Sequence, residues 1–235
     1  MTNSEINRLG EALRVGAVTT ENLVALDDYR RSFQPAITQV VKDWQNYLGG
    51  TSVLVQRPSK STPSIIAKLR RQATLKLSQI QDIAGLRVVL TDRYSQSVMS
   101  ERVQSVFSNC KIIDRLSKPS FGYRAIHLVV TSLDRPVEVQ LRTEMQHAWA
   151  HLSEQLADSL GHDLKYGGGN EAIKEQLAQL SDRIDSLEQN AHDWSKAQNQ
   201  FNTFNRKTPF DEDMELVRDS MKALYQQHLS TSLKI

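Results

Sequence analysis

Apolar positions recur every three or four residues along much of the chain. Leu23, Leu26, Phe33, Ile37, Val40, Trp44 and Tyr47 follow the repeat of one helical face and predict a helix over residues 19–48. Thr19 or Thr20 suits its cap. Pro35 has no N–H to give the helix ladder and predicts a kink or break near Phe33. Gly49-Gly50 ends the pattern. Residues 51–55 are β-rich and read as a short strand. Residues 64–72 read as a helix, with Thr62-Pro63 at cap and first-turn positions. The middle of the chain changes period. Residues 85–90 and 110–116 read as strands, with a helix over 95–107 between them on Val98, Met99, Val103, Val106 and Phe107. Residues 124–132 and 137–142 read as a hairpin joined through Leu133-Asp-Arg-Pro136. From Glu144 the period is helical again, on Met145, Ala148, Trp149, Leu152 and Leu156.

Tyr166 and Gly167-Gly-Gly169 interrupt that helix. Ile173, Leu177, Leu180, Ile184, Leu187, Ala191 and Trp194 then alternate spacings of four and three, a helix with a narrow apolar seam. Thr208-Pro209 breaks it. Residues 211–229 form a last helix, with Val217, Met221, Leu224 and Tyr225 on one face. The pattern gives N-terminal helices over 1–49, a mixed core over 50–166 and a C-terminal helical extension over 167–235. The seam suits a helix packed on its own body; it also suits a homo-oligomer contact or an antitoxin partner bound through residues 170–229.

Composition narrows the function classes. With 29 Lys and Arg against 27 Asp and Glu, the net charge of +2 excludes a histone-like polycation and an acidic tail. The average conceals one local feature. Residues 44–81 contain no Asp or Glu and carry Arg57, Lys60, Lys68, Arg70, Arg71 and Lys76. Such a stretch marks an anion site. The single cysteine, Cys110, excludes an intramolecular disulfide and suits a reducing compartment. The first residues have no apolar signal core, and no window approaches a membrane span. A cytoplasmic protein without a membrane partner is expected.

Three clusters could carry chemistry; neither a Walker A nor a Gly-x-Gly-x-x-Gly loop is present. His162-Asp163 is a bare pair that does not close a metal site. The first cluster is the basic stretch. Lys68 and Arg71 share a helix face, and with Arg57 and Lys60 they could surround a polyphosphate. Read alone, this is equally a solvated basic face. The second is Gln81-Asp-Ile-Ala-Gly-Leu-Arg87, which puts a carboxylate at a strand start; a turn Asp gives the same pattern. The third is Val137-Glu-Val-Gln-Leu-Arg-Thr143. Alternation there puts Glu138, Gln140 and Arg142 on one face and apolar residues on the other. A solvated sheet face has the same form, but a carboxylate from each of two strands could hold Mg²⁺ at a nucleotide.

Together these clusters resemble the synthetase domain of the RelA/SpoT alarmone synthetases. The order is Arg57, Lys60-Ser61, Ser64-Ile-Ile-x-Lys68, then Asp82-Ile-Ala-Gly-x-Arg87, Gly122-Tyr-Arg-Ala-Ile-His127 and Glu138-Val-Gln-Leu-Arg-Thr143. The resemblance covers about residues 50–155. The run Arg142-Thr-Glu-Met-Gln-His-Ala-Trp-Ala150 is similar to the small single-domain branch, which includes toxins. It implies an α+β, nucleotidyltransferase-like mixed β-sheet flanked by helices, with a C-terminal helical extension. It implies transfer of pyrophosphate from ATP to a ribose 3′-hydroxyl, with Mg²⁺ as cofactor. Asp82 and Glu138 would hold the metal, and Glu138 would also take the hydroxyl proton. Arg57 and Arg87 would sandwich adenine. Lys60, Ser64, Lys68 and Arg71 would grip the ATP phosphates. Tyr123 would stack on the acceptor base, with Lys118, His127, Gln140 and Arg142 around it.

The sequence departs from the family on the acceptor side. Pro119 replaces the usual Lys four residues before the stacking Tyr, with Lys118 one place earlier, and Ser120-Phe121 follow. GDP or GTP is the expected acceptor; adenosine nucleotides or the 3′ end of tRNA, used by toxin members, are the alternative. A non-catalytic nucleotide-binding module is the second alternative. Residues 170–235 carry eight bases against eleven acids and form no RNA platform. The hydrolase domain of long family members has no counterpart here, so the chain is expected to make its product and not degrade it.

Overall fold

The computed structural model describes residues 1–48, 54–57, 59–161, 164, 166–200 and 208–229. Two compact units interleave along the chain. The first comprises residues 1–88, 102–113 and 127–140; the second comprises 89–101, 114–126 and 141–235.

The first unit opens with helix α1 (Asn3–Arg14), which the apolar repeat did not single out. Its signals are local: Thr2 and Glu5 form a reciprocal capping box, and Ile6, Leu9 and Leu13 line one face. That face packs on α4 (Thr62–Arg71) and on a 3₁₀ turn at Leu77–Gln79. The helix expected over 19–48 is three segments. Helix α2 (Thr20–Arg31) is capped by Thr19, whose hydroxyl accepts from the Asn22 N–H. The break falls at Ser32–Phe33, and α3 (Gln34–Asp43) carries Pro35 in its first turn, where no N–H is needed. From Trp44 to Leu48 the coil widens to a π-turn. At α-helical spacing Tyr47 would follow Trp44 inward. Leu48, four residues after Trp44, is the one that faces inward: it is 1% exposed and Tyr47 66%. Helix α4 is capped by Ser61, one residue before the expected Thr62.

The mixed sheet has strand order β1-β2-β5-β4-β3. Strand β1 (Leu54–Gln56) pairs antiparallel with β2 (Gly85–Leu90), setting Val55 opposite Arg87 and Gln56 opposite Leu86. Residues 51–53 of the expected first strand lie outside the described residues, as do Gly49-Gly50 and His162-Asp163. Strands β3 (Cys110–Asp114), β4 (Ile126–Ser132) and β5 (Arg135–Thr143) complete the sheet. The β4–β5 hairpin is tighter than the sequence suggests. Only Leu133 and Asp134 turn, at φ of 47° and 58°, the mirror-image turn that matches strand twist. Arg135 and Pro136 already belong to β5, and the Arg135 guanidinium lies 5.4 Å from the Tyr29 ring and 5.2 Å from the Phe33 ring. Val137 to Thr143 are buried on both faces, so the polar row of this strand is not the solvated face it could have been.

The second unit is dominated by α6 (Glu144–Leu160), α7 (Glu171–Gln200) and α8 (Asp211–Leu229). Its core joins Trp149, Leu152 and Leu156 with Ile173, Leu177, Ile184, Val217, Met221 and Leu224. The inward face of α7 is Ile173, Leu177, Ser181, Ile184 and Glu188, while Leu180 and Leu187 are partly buried. The apolar seam of α7 is thus covered by helices of its own unit. Helix α5 (Arg93–Val106) turns Gln96, Met99, Ser100 and Val103 inward, not Val98. Among the described residues no helix is long and apolar enough to cross a membrane.

The π-turn gives opposite expectations for neighbouring residues. Leu48→Ala should destabilise the protein by about 2–5 kcal/mol, whereas Tyr47→Ala should stay within about 0.5 kcal/mol of wild type. Urea denaturation of both variants checks this; equal losses would contradict the inward position of Leu48.

Candidate active site

Two carboxylates of the first unit define the site. Asp82 lies in the turn before β2, and Glu138 lies in the middle of β5. Their backbones are neighbours, because the Glu138 N–H donates to the Ala84 carbonyl at 3.1 Å. Residues 57–60 run along the same segment: the Arg57 N–H donates to Gly85 at 2.9 Å and the Lys60 N–H to Ile83 at 3.0 Å. This ladder delivers cations to both acids. Lys60 Nζ lies 2.9 Å from Asp82 Oδ2, and Lys68, one side chain up α4, reaches Asp82 Oδ1 at 2.8 Å. Burial would raise the Asp82 carboxyl, but the charges and hydrogen bonds of the two lysines outweigh it and lower its pKa.

Glu138 is deeper, at 6% exposure. A bare carboxylate there would be expensive, so its partners are the reason it can be ionised. His127 Nδ1 donates to Oε1 at 2.8 Å, while Arg57 Nη1 and Gln140 Nε2 each donate to Oε2 at 2.8 Å. Desolvation pushes the carboxyl up; the His127 hydrogen bond and charge, the Arg57 guanidinium and the Gln140 amide overcome it and hold the pKa at about 2.

Gly85, quoted in the motif but given no role by the sequence, makes room for this arrangement. A Cβ there would lie 2.9 Å from Arg57 Nη1 and 3.3 Å from the Glu138 carbonyl oxygen. The register also sets the two adenine-sandwich candidates on one side. Val55 faces Arg87 across the strands, so Arg57, two residues on, shares the sheet face of Arg87. On α4, Ser64 follows the cap, where the Ser61 hydroxyl donates to its Oγ at 2.8 Å. Lys68 and Arg71 continue that face at helical spacing; Lys68 is turned to Asp82 and Arg71 is exposed.

The expected acceptor residues fall partly in the second unit. Arg142 donates from Nε and Nη2 to the Tyr123 hydroxyl at 3.2 and 3.1 Å, with its guanidinium carbon 5.0 Å from the ring centroid. Tyr123 ends a two-residue turn closed by paired backbone bonds to Ser120. Phe121 and Gly122 form that turn at φ of 53° and 81°. Gly122 is required twice, by its positive φ and by Trp149, whose ring would lie 2.8 Å from a Cβ. The C-terminal helices hold this loop. Ser181 of α7 donates to the Gly122 carbonyl, and Arg124 donates to Asp182 and Ser181. Lys118 is exposed. His127 and Gln140, expected beside the acceptor, meet Glu138 within the first unit. The supporting parts played by Gly85, Trp149 and Ser181 are invisible in the sequence, since each depends on a neighbour far along the chain.

The carboxylate pair suits a hard divalent cation whose other ligands are phosphate and water oxygens, as Mg²⁺ prefers. Among the described residues no three His, Cys, Asp or Glu side chains converge as a ready-made cage.

The Glu138 cluster predicts an acid limb of stability. Its folded pKa of about 2 lies below the unfolded value of 4.5, so its stabilisation is complete above the latter and is lost as pH falls through the former. Removing Arg57 deletes one of the interactions that lower it. Arg57→Ala should therefore raise the Glu138 carboxyl pKa and reduce the stability lost on acidification, by on the order of 1 kcal/mol. Carboxyl ¹³C titration and urea unfolding between neutral and acid pH measure both. An unmoved Glu138 resonance would contradict the pairing.

Residues 57–166 match the model of the region found in RelA / SpoT proteins. Uncharacterized proteins of Mycobacterium tuberculosis and Mycobacterium bovis are 31% identical over 175 residues, covering 70% of this chain and 62% of theirs. The chain thus spans less than two thirds of the length of these curated relatives. The small alarmone synthetase 1 of Bacillus subtilis is 22% identical, covers 77% of this chain and 100% of its own, and superposes with a TM-score of 0.56. The structure of that enzyme bound to its product pppGpp is similar at 22% identity, 75% and 99% coverage and a TM-score of 0.54. A GTP pyrophosphokinase family protein from Streptococcus pneumoniae is 21% identical, with 88% and 98% coverage and a TM-score of 0.52. Both carboxylates and the cations that meet them among the described residues lie inside the matched region: residues 57–166 match the region found in RelA / SpoT proteins, on the fold seen in the small alarmone synthetases.

Proposed function

We propose that the chain is a pyrophosphokinase that moves the β,γ-diphosphate of ATP to the 3′-hydroxyl of GDP or GTP. The observation that carries this reading is the pairing of each carboxylate with cations suited to phosphate: Lys60 and Lys68 on Asp82, Arg57 on Glu138. Three cations held this closely to two acids are poised to exchange. Asp82 and Glu138 would hold Mg²⁺, which when bound offsets phosphate charge. Lys60 and Lys68, released from Asp82, then grip the triphosphate; Lys60 immediately precedes the cap of α4, whose N-terminal dipole adds to the attraction. Arg57 moves to the nucleotide and shares its sheet face with Arg87, a spacing that supports stacking on adenine.

The same exchange prepares the base. A carboxylate with a pKa of about 2 is a weak proton acceptor. When Arg57 leaves, an oxygen of Glu138 opens toward the acceptor while His127 and Gln140 keep it oriented. It then takes the proton from the acceptor 3′-hydroxyl as that oxygen bonds to the β-phosphorus. The bond between the β-phosphorus and the α,β-bridging oxygen breaks, and AMP leaves. Positioning and cations supply most of the acceleration, so no covalent nucleophile is required. The similarity to an enzyme that was crystallised with pppGpp supports a guanosine acceptor.

Incubation with γ-labelled ATP and, separately, GDP, GTP, AMP, ADP, ATP or bulk tRNA tests the assignment. A labelled product with GDP or GTP is expected. Product only with an adenosine nucleotide or tRNA would overturn the acceptor; no product with any would favour a binding module. Glu138→Gln should lower the rate by about 1000-fold or more, with the thermal transition retained.

A further inference from the structure

The N-terminal helices have no part in the chemistry above, yet one side chain from them reaches the site loop. Arg30, in the last turn of α2, donates from Nη2 to the Ser59 hydroxyl at 2.8 Å and lies 3.5 Å from the Ser59 carbonyl oxygen. Its other terminal nitrogen is fixed by Asp27, one turn back, at 2.8 Å. The Arg30 side chain is 22% exposed, so much of this contact is shielded from water.

Ser59 lies between the two residues whose cations meet the carboxylates. Arg57 and Lys60 are each tied by a backbone N–H to the segment before and at the start of β2. Those bonds anchor the backbone at Arg57 and at Lys60. The Arg30–Ser59 contact is a third point of attachment, made from a different element. Three points fix an orientation that two do not, and a charge-assisted hydrogen bond with a guanidinium fork gives it direction.

We propose that Arg30 is a positioning residue for ATP: by holding Ser59 it sets the orientation of Arg57 and Lys60, and so makes α2 part of the nucleotide site. The inference rests on the pyrophosphokinase reading for the identity of the ligand. Arg30 touches neither carboxylate in the structure and takes no part in proton transfer. Its loss should therefore weaken ATP binding more than it slows the bound complex. Lysine can keep one donor on the Ser59 hydroxyl but cannot reproduce the fork, so it should rescue in part.

Arg30→Ala, Arg30→Lys, Ser59→Ala and the Arg30→Ala/Ser59→Ala double variant test this by calorimetric titration with Mg²⁺ and a non-hydrolysable ATP analogue. Steady-state kinetics with ATP as the varied substrate accompany the titration. Arg30→Ala should weaken binding about tenfold and raise KM for ATP to match, with kcat changed about twofold or less. Arg30→Lys should recover part of the loss. Ser59→Ala should show a smaller loss, and the double variant should be no worse than Arg30→Ala, because both remove one contact. Wild-type affinity in Arg30→Ala, or losses that add in the double variant, would overturn the proposal. If Arg30→Ala fails to fold, Arg30→Lys and Ser59→Ala decide it: wild-type affinity in both refutes it. If the wild-type protein itself neither binds the analogue nor turns over ATP, the pyrophosphokinase reading fails; if only the variants match wild type, the positioning role fails alone.

Discussion

A carboxylate as deep as Glu138 cannot remain ionised without partners, and the cost of desolvating it governs what surrounds it. The chain supplies three donors from three places: Arg57 beyond the end of β1, His127 from β4 and Gln140 from β5 itself. Each is brought there by strand pairing, so the strand order β1-β2-β5-β4 is what the charge cluster requires. The arrangement also limits its surroundings. Arg57 can cross to Glu138 only because residue 85 has no side chain, and that explains a glycine at the start of an otherwise apolar central strand.

Ion pairs of this kind add little to stability, since desolvation cancels much of their attraction. What they do here is hold Lys60, Lys68 and Arg57 close to the acids. The acids neutralise a basic stretch that would otherwise repel itself, and the bases keep two carboxylates ionised beside one another. Under the proposed function, a phosphate chain accompanied by a divalent cation would offer both sets better partners at once.

The second unit shows a different use of tertiary structure. The acceptor-side turn at Phe121-Gly122 is held by Ser181 of α7 and packed against Trp149 of α6, whose indole N–H donates to the Leu177 carbonyl at 2.8 Å. Helices that follow the matched RelA/SpoT region are therefore its scaffold, not an appendage. Glu188 belongs to the same support: it bonds Thr143 and Gln146, and burial raises its carboxyl pKa despite these hydrogen bonds. Polar residues interrupt the heptad on the inward face of α7: Ser181 and Glu188 take buried places there, while Leu180 and Leu187 are only partly buried.

Period and punctuation in the sequence were enough for β2, for the limits of α8 and for the break near Phe33, because these follow from local sterics and from the alternation of one strand. The motifs were enough to nominate Asp82, Glu138 and the basic residues, because a run without acids and a polar-apolar alternation are visible without a fold. The rest was decided by contacts far apart in sequence. Of the two residues spaced to follow Trp44, Leu48 turned inward and Tyr47 did not, a choice that depends on what lies beneath the helix. His127 and Gln140 met Glu138 because neighbouring strands brought them to it. Arg30 reached Ser59 across 29 positions of chain. A sequence records which side chains are present and the period in which they repeat; which cation meets which acid depends on strand register and helix packing, and these are settled only when the whole chain buries its apolar surface at once.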